Sequence, residues 1–131
     1  MTVNKAIICL GANTPDAAER LARAFSALSI MGAIVDAVEP YLTAPEYAGE
    51  TEPYLNQIVV LATYMSFDEL TARTKDYQTK TRAANPYSPL VNIDIDIVEW
   101  NGEIVRPTDA AAAYYRQGIA RLANLSMSGA L

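Results

Sequence analysis

The stretch that decides the fold is Val91-Asn92-Ile93-Asp94-Ile95-Asp96-Ile97-Val98, in which isoleucine and polar residues alternate. Successive side chains of a β-strand point to opposite faces, so this period of two predicts a strand with one isoleucine face and one polar face. The isoleucine face belongs to a core. The polar face carries Asp94 and Asp96, whose Cα atoms would lie roughly 6.5 Å apart.

Two carboxylates at this spacing have two interpretations. They repel each other, and a hard cation such as Mg²⁺ would offset the repulsion while water and phosphate oxygens complete its coordination. The alternative is an antiparallel strand with one solvated face, on which acidic residues are common. Taken alone, the stretch favours the solvated face, because half-exposed strands are frequent.

Composition limits the class of protein. The chain has 131 residues, of which 51% are apolar, and this predicts a single domain over residues 1–131 with its own core. A net charge of −5 argues against a nucleic-acid or membrane-surface binder, which would carry a basic face. No stretch is typical of a signal peptide or a membrane span, so we expect a cytoplasmic protein.

The residue types that are missing narrow the chemistry. The sequence has no histidine, which excludes a Ser-His-Asp arrangement and an imidazole zinc site. Cys9 is the only cysteine and lies in an apolar run, so it is expected to be buried and forms no intrachain disulfide. Proton transfer is left to Asp, Glu, Lys, Tyr or metal-bound water.

The remaining chain predicts the order β-α-β-β-α-β, followed by a hairpin strand and a last helix. The predicted elements are strand Lys5–Gly11, helix Pro15–Ser29 with Thr14 as its N-cap, strand Ala33–Leu42, strand Tyr54–Met65, a helix that begins in the capping box Ser66-Phe67-Asp68-Glu69, the acidic strand, a turn at Asn101-Gly102, edge strand Glu103–Val105, and helix Asp109–Leu122 with Thr108 as its N-cap and a frayed tail at Asn124–Leu131.

This order predicts an α+β fold, a ferredoxin-like βαββαβ antiparallel sheet with an added C-terminal edge strand and helix. In such a sheet the first and third strands lie side by side at the centre, and the acidic strand flanks the first. The segments that would then line a site with Asp94 and Asp96 are Gly11–Asn13, Thr43–Pro53 and Ala83–Pro89.

Several stretches together resemble the 6-hydroxymethyl-7,8-dihydropterin pyrophosphokinase family of the folate pathway. They occur in the family's order and close to its spacing, and they are Leu10-Gly11-Ala12-Asn13, Tyr41-Leu42-Thr43-Ala44-Pro45, Tyr54-Leu55-Asn56 and Ile93-Asp94-Ile95-Asp96-Ile97. Each match alone is weak, whereas four in register are fairly specific. The resemblance implies transfer of pyrophosphate from ATP to the hydroxymethyl group of the pterin.

The resemblance also implies roles for individual residues. Asp94 and Asp96 would hold two Mg²⁺ ions that bridge the phosphates of ATP. Asn56 would hydrogen-bond the edge of the pterin, and Tyr54 would lie against its ring. Backbone groups of Thr43, Ala44 and Pro45 would meet the amino-pyrimidine.

The sequence departs from the family in its charged residues. The segment before the acidic strand, Tyr87-Ser88-Pro89-Leu90-Val91-Asn92, lacks the family's arginines, and Arg82 is the nearest arginine, so we place it with Asp94 and Asp96 as a catalytic residue. Gln78 stands where a helix carboxylate is expected, and the family's later His-Pro segment is absent. Two alternatives follow: a catalytically impaired pterin- or nucleotide-binding relative without the arginine clamp, and a homo-oligomeric ferredoxin-like interaction module.

Overall fold

The computed structural model describes residues 2–45, 50–83 and 90–129. In these ranges the chain forms six strands and four helices: β1 Asn4–Ala12, α1 Ala17–Met31, β2 Ala33–Ala37, β3 Tyr41–Thr43, β4 Tyr54–Thr63, α2 Phe67–Ala83, β5 Asp94–Trp100, β6 Glu103–Ile104, α3 Pro107–Ala111 and α4 Ala113–Gly129. Within the described ranges, no helix is both long and apolar enough to span a membrane.

The strands form one antiparallel sheet in the order β2-β4-β1-β5-β6, and β3 pairs with β4 along the same edge as β2. The predicted centre is therefore confirmed, because β1 and β4 lie side by side over their full lengths. The acidic strand, β5, flanks β1 as expected. This is the ferredoxin-like order with an added edge strand, β6, and additional C-terminal helices.

Helices α1 and α2 pack on one side of the sheet, which we call the two-helix face. This face is formed by alternate apolar residues of the central strands and carries the larger core: Ala6, Ile8, Leu10, Val59, Leu61, Ile93, Ile95 and Ile97. The two helices contribute Leu21 and Leu28 of α1 and Leu70 and Thr74 of α2, each at most 1% exposed. The isoleucine face of the acidic stretch thus belongs to this core.

Two local signals of the sequence are confirmed. Ser66 and Glu69 form the predicted capping box, in which each backbone N–H donates to the side chain of the other residue, at 3.3 and 3.1 Å. At the hairpin, Asn101 and Gly102 both have positive φ, at 49° and 84°, as a type I′ turn requires.

The second predicted strand, Ala33–Leu42, is divided in the structure. β2 ends at Ala37 and β3 begins at Tyr41, with Pro40 between them. Proline has no N–H to donate to a ladder, so the strand is interrupted there. Thr14 is also not the cap of α1: Asp16 precedes the helix, and no side chain caps it by a hydrogen bond.

The C-terminal region differs more from the prediction. Pro107 is the first residue of the short helix α3. Proline suits this position, because the backbone N–H that it lacks would have no partner within the helix. Arg106, not Thr108, precedes that helix. Ala112 is extended and separates α3 from α4, which continues to Gly129 where a frayed tail was expected.

Helix α4 packs on the other side of the sheet, which we call the α4 face. Its core joins residues of the sheet to one side of the helix: Cys9, Val38, Tyr41, Ile58, Val98, Tyr115, Ile119 and Leu122. The expected solvated face of the acidic strand is therefore wrong. Gly118 permits the close approach, because a Cβ there would overlap Tyr41 Oη and Ile58 Cγ1.

A Gly118→Ala change is expected to destabilise the protein. Glycine to alanine inside a helix normally adds about 0.5–1 kcal/mol of stability, whereas here the added methyl forces α4 from the sheet. We expect a loss of about 1–3 kcal/mol in the free energy of unfolding, measured by urea denaturation. Asn124→Ala on the exposed side of α4 is the control and should cause no loss; a stabilised Gly118→Ala variant would contradict the packing described.

Candidate functional site

The register of β1 brings the predicted site residues into one row across the sheet. Gly11 of β1 is paired with Asn56 of β4 on one side and with Asp94 of β5 on the other. Directly opposite residues of antiparallel strands share a face, so Asn56 and Asp94 both lie on the α4 face. With neighbouring strands about 4.8 Å apart, their Cα atoms are separated by about 10 Å.

The residues predicted to meet the heterocycle lie at the Asn56 end of this row. Thr43 and Tyr54 form a directly opposite pair of β3 and β4. Asn56 Nδ2 donates to Thr43 Oγ1 at 2.6 Å, and the Tyr54 hydroxyl donates to Glu50. Thr43, Tyr54 and Asn56 are all buried, while Ala44 and Pro45 follow β3 and are exposed.

Gly11 has no side chain, and this leaves space at the centre of the row. A Cβ at this position would lie 3.1 Å from Asn56 Oδ1, which is closer than ordinary van der Waals contact. The amide oxygen of Asn56 is therefore directed towards the centre of the row, while its Nδ2 is held by Thr43. An acceptor atom is thus oriented towards the side on which the acids lie.

Asp96 lies on the same face, opposite Cys9, and is only 8% exposed. Its Oδ1 is 3.1 Å from Lys75 Nζ and 3.6 Å from Arg106 Nη2. Lys75 also donates to the Ile95 carbonyl at 2.7 Å and to Gln78 Oε1 at 3.3 Å. The ammonium group therefore has three acceptors, and the acid is paired with a cation.

Lys75 extends from α2 to the edge of β5. β6 pairs with β5 only at Glu99 and Trp100, which leaves the edge of β5 unpaired by a strand at Ile95. Two side chains of α2 form hydrogen bonds with that edge. Gln78 Oε1 accepts from the Ile95 N–H at 2.9 Å, and Lys75 Nζ donates to the Ile95 carbonyl. A lysine on the flank of an amphipathic helix carries no sequence signal for this contact.

Asp94 is in a different environment from Asp96. It forms no ion pair with any residue in the described ranges. Burial, the negative charge of Asp96 and a hydrogen bond between the two side chains raise the pKa of Asp94 to about 6, against the opposing effect of Lys75 and Arg106. Burial and the nearby acids raise the pKa of Cys9 as well, which disfavours its thiolate form.

Arg106 is a site residue that the sequence reasoning missed. It follows the hairpin, and Val105 N–H donates to the Val98 carbonyl at 2.8 Å, which returns the chain to β5. Its Nε donates to Asp109 at 2.6 Å, and the Tyr114 hydroxyl donates to the same carboxylate. The signal was present, because a hairpin after the acidic strand must bring the next residues back beside it.

Four further expectations have different outcomes. Arg82 is exposed on the last turn of α2 and forms no ion pair with a described residue, so its catalytic role stays a prediction. Asn13 binds the segment before β5 through two hydrogen bonds with Val91, of 2.6 and 3.1 Å. Residues 46–49 and 84–89 of the other two predicted loops lie outside the described residues. Asn92, expected beside Asp94, precedes β5 and donates to the Thr81 carbonyl of α2 at 3.2 Å.

A cleft of about 500 Å³ opens at the same end of the sheet, near the start of α1. Leu55, which lines it, alternates with Tyr54 and Asn56 along β4 and so points to the two-helix face. Its lining is Asn13, Thr14, Pro15, Ala17, Ala18, Leu42, Glu52, Pro53, Leu55 and Leu90. The cleft is therefore separate from the row that contains Asp94.

Comparison with known protein families identifies the chain. Residues 7–124 match the 7,8-dihydro-6-hydroxymethylpterin-pyrophosphokinase family. The chain belongs to this family. The match covers β1 to most of α4 and confirms the resemblance noted in the sequence. No curated protein matches the chain.

The pyrophosphokinase family uses ATP and Mg²⁺. The side chains near Asp94 can therefore be compared with the ligands that Mg²⁺ prefers. Within the described ranges, no cluster of three or more histidine, cysteine, aspartate or glutamate side chains could hold a metal ion. The carboxylates of Asp94 and Asp96 would suit Mg²⁺, because this ion keeps water and substrate phosphate oxygens as its other ligands. Burial and the charge of Asp96 raise the pKa of Asp94, so a nearby cation would favour the ionised form of this acid.

An Asp94→Asn change is expected to stabilise the protein at neutral pH. The pKa of Asp94 rises from 3.8 to about 6 on folding, so the folded state holds this proton more tightly and loses stability as the pH rises through that window. The amide has no such loss. We expect the variant to equal the native protein below about pH 4 and to exceed it by about 1–3 kcal/mol above about pH 7. Urea denaturation across this range without divalent ions measures the difference, and a difference independent of pH would contradict the assignment.

The ion pair between Lys75 and Asp96 should contribute more than a surface pair. A double-mutant cycle with Lys75→Met and Asp96→Asn is expected to give a coupling free energy of about 1–2 kcal/mol, because Asp96 is nearly buried. The matched control is the pair Lys80–Asp76 on the same helix, whose side chains are 77% and 60% exposed. That cycle should give less than about 0.5 kcal/mol, and equal couplings would show that Lys75 is not fixed on Asp96.

Proposed function

We propose that this protein transfers pyrophosphate from Mg²⁺-bound ATP to the hydroxymethyl group of 6-hydroxymethyl-7,8-dihydropterin. The observation that carries the proposal is the row Asn56–Gly11–Asp94, which sets an oriented amide and an acid on one face of the sheet. Family membership supplies the class of reaction. In this proposal the heterocycle would bind at the Asn56 end of the row and the phosphates at the acidic end.

Asp94 and Asp96 would hold the metal, as two ions in the form that the resemblance implies. Bound Mg²⁺ supplies positive charge to the phosphate oxygens as negative charge shifts during transfer. Asp94 suits this role because it lies on the α4 face, has no ion pair in the described chain and carries an incompletely compensated charge. Lys75 holds Asp96 by one oxygen only, Oδ1.

Thr43, Tyr54 and Asn56 would bind the pterin. Thr43 fixes the amide of Asn56 by accepting from Nδ2, so that Oδ1 faces Gly11 and can accept an N–H of the amino-pyrimidine. Tyr54 adds an aromatic surface for the flat ring system. The backbone of Ala44 and Pro45, directly after β3, would extend this contact.

The reaction then depends on alignment and charge more than on a strong base. The hydroxymethyl oxygen forms a bond to the β-phosphorus of ATP while the bond from that phosphorus to the bridging α,β-oxygen breaks, and AMP leaves with those electrons. The hydroxyl proton passes to solvent. Positioning of this kind contributes most of the acceleration in phosphoryl transfer, so a chain without histidine can perform it.

A second candidate is a relative that binds pterin or nucleotide without turnover. One observation favours it: Asp96, which would be a metal ligand, is already paired with Lys75 and Arg106. A cation must then share or replace these partners. The interaction-module alternative and the contribution of Arg82 stay predictions.

Calorimetry with ATP tests the metal site. We expect binding heat in the presence of Mg²⁺ and at least a tenfold weaker affinity without it or in Asp94→Ala, because the acids anchor the metal that bridges to phosphate. Asp68→Ala, which removes an exposed acid at the start of α2, is the matched control and should bind as the native protein does. Binding of ATP that is indifferent to Mg²⁺ and to Asp94 would remove the metal site from the proposal.

A turnover assay then separates the two candidates. With the hydroxymethyl dihydropterin and Mg²⁺-ATP, the enzyme is expected to release AMP in proportion to the pyrophosphorylated pterin. A binding relative would take up both ligands and release no AMP.

A further inference from the structure

We propose that Arg106 binds the phosphate groups of the nucleotide, and so supplies the positive charge that the segment before β5 lacks. This inference rests on the proposed function, since it assigns a further residue to the same site. It is drawn from the position of the guanidinium group beside the acidic pair and from the hydrogen bonds that hold it there.

Arg106 is fixed at both its backbone and its side chain. Its N–H donates to the Val98 carbonyl of β5 at 3.4 Å, and its own carbonyl accepts from Ala110 in α3 at 3.0 Å. The side chain is oriented by Asp109, which accepts from Nε at 2.6 Å and is itself held by the Tyr114 hydroxyl. The guanidinium is therefore pre-positioned, which lowers the entropy lost when it binds an anion.

The guanidinium retains free donors. Of its five N–H groups, only that of Nε lies within hydrogen-bonding distance of a described acceptor, and Nη2 is 3.6 Å from Asp96 Oδ1. The side chain is 45% exposed, so the remaining donors are accessible from the α4 face. Arginine presents such donors as a planar fork that matches two phosphate oxygens.

Lys75 provides a contrast within the same cluster. Its ammonium has three donors and already meets three acceptors: the Ile95 carbonyl, Asp96 Oδ1 and Gln78 Oε1, at 2.7 to 3.3 Å. It is thus a fixed countercharge to Asp96. Of the two cations, Lys75 and Arg106, only Arg106 can bind an anionic ligand without losing a contact shorter than 3.5 Å to a described residue.

The location also matches the phosphate end of the proposed site. Arg106 approaches Asp96 from the hairpin side, whereas Asn56 lies on the opposite side of β1. A phosphate bound to metal at the acids would come next to the guanidinium, while a heterocycle at Asn56 would lie two strands away. The residue is therefore expected to affect phosphate binding and leave pterin binding unchanged.

Titration with inorganic tripolyphosphate and with Mg²⁺-ATP measures this role. Arg106→Gln is expected to weaken both ligands about 10–100-fold, because a charge-assisted bidentate contact is lost, and to leave pterin affinity within about twofold. Arg106→Lys should recover part of the loss, since it restores charge without the fork. Arg73→Gln, which removes an exposed arginine with no ion pair in the described chain, is the charge-matched control and should be neutral.

The outcomes separate this inference from the proposed function. If the native protein binds Mg²⁺-ATP and Arg106→Gln binds it within about twofold of Arg73→Gln, the assignment of Arg106 is overturned while the proposed function stands. Loss of pterin and phosphate affinity together would overturn it too, because that pattern indicates a structural role. If the native protein binds neither tripolyphosphate nor Mg²⁺-ATP, both proposals fail.

Discussion

The hydrogen-bond register of β1 with its two neighbours determines which side chains can act together in this protein. Because the side-chain period of a strand is two, a slip of one residue between β1 and β5 would turn Asp94 and Asp96 into the apolar core beneath α1 and α2. The register is held at both ends of the β1–β5 pair. Asn13 exchanges two hydrogen bonds with Val91 at one end, and Lys5 exchanges two with Asn101 at the other, each of 2.8 Å.

Given that register, the α4 face combines an apolar half with an acidic end. Cys9, Ile58 and Val98 lie under α4, and Asp96 lies at the border, where burial makes its negative charge expensive. The fold compensates this acid with Lys75 and Arg106 but leaves Asp94 with a raised pKa. A buried acid with a raised pKa beside a second acid is typical of functional sites, where a ligand supplies the missing countercharge. The energetic argument therefore points to β5.

The sequence predicted what depends on local pattern or on the order of elements. Alternation assigned Asp94 and Asp96 to one face of a strand, and the capping box and the Asn101-Gly102 turn placed a helix start and a hairpin correctly. The proline at position 40 could also have been used to predict that the second strand is divided.

The position of α4 was not predictable in this way, because an amphipathic helix does not specify which face of a sheet it will cover. Its contact depends on Gly118 and on the shape of Tyr41 and Ile58 beneath it. Lys75 was missed for a related reason: its partner is an unpaired strand edge that exists only in the assembled sheet.

The hairpin brings a cation to the acidic strand, although the segment directly before that strand has no arginine. A cation near Asp96 can arrive along β5 from its N-terminal side, or from the strand that returns beside it after the turn. Here β6 is only two residues long, so the chain leaves the sheet early and Arg106 meets the border of the α4 face instead of continuing as an edge strand. Pro107 then starts α3, which places Asp109 within reach of the guanidinium.

The charged groups of this cluster are the carboxylates of Asp94, Asp96 and Asp109 and the cations of Lys75 and Arg106. When all five groups are ionised, the cluster carries one negative charge in excess. A divalent ion held by these acids would reverse that sign and would strengthen the attraction of an anionic phosphate to the site.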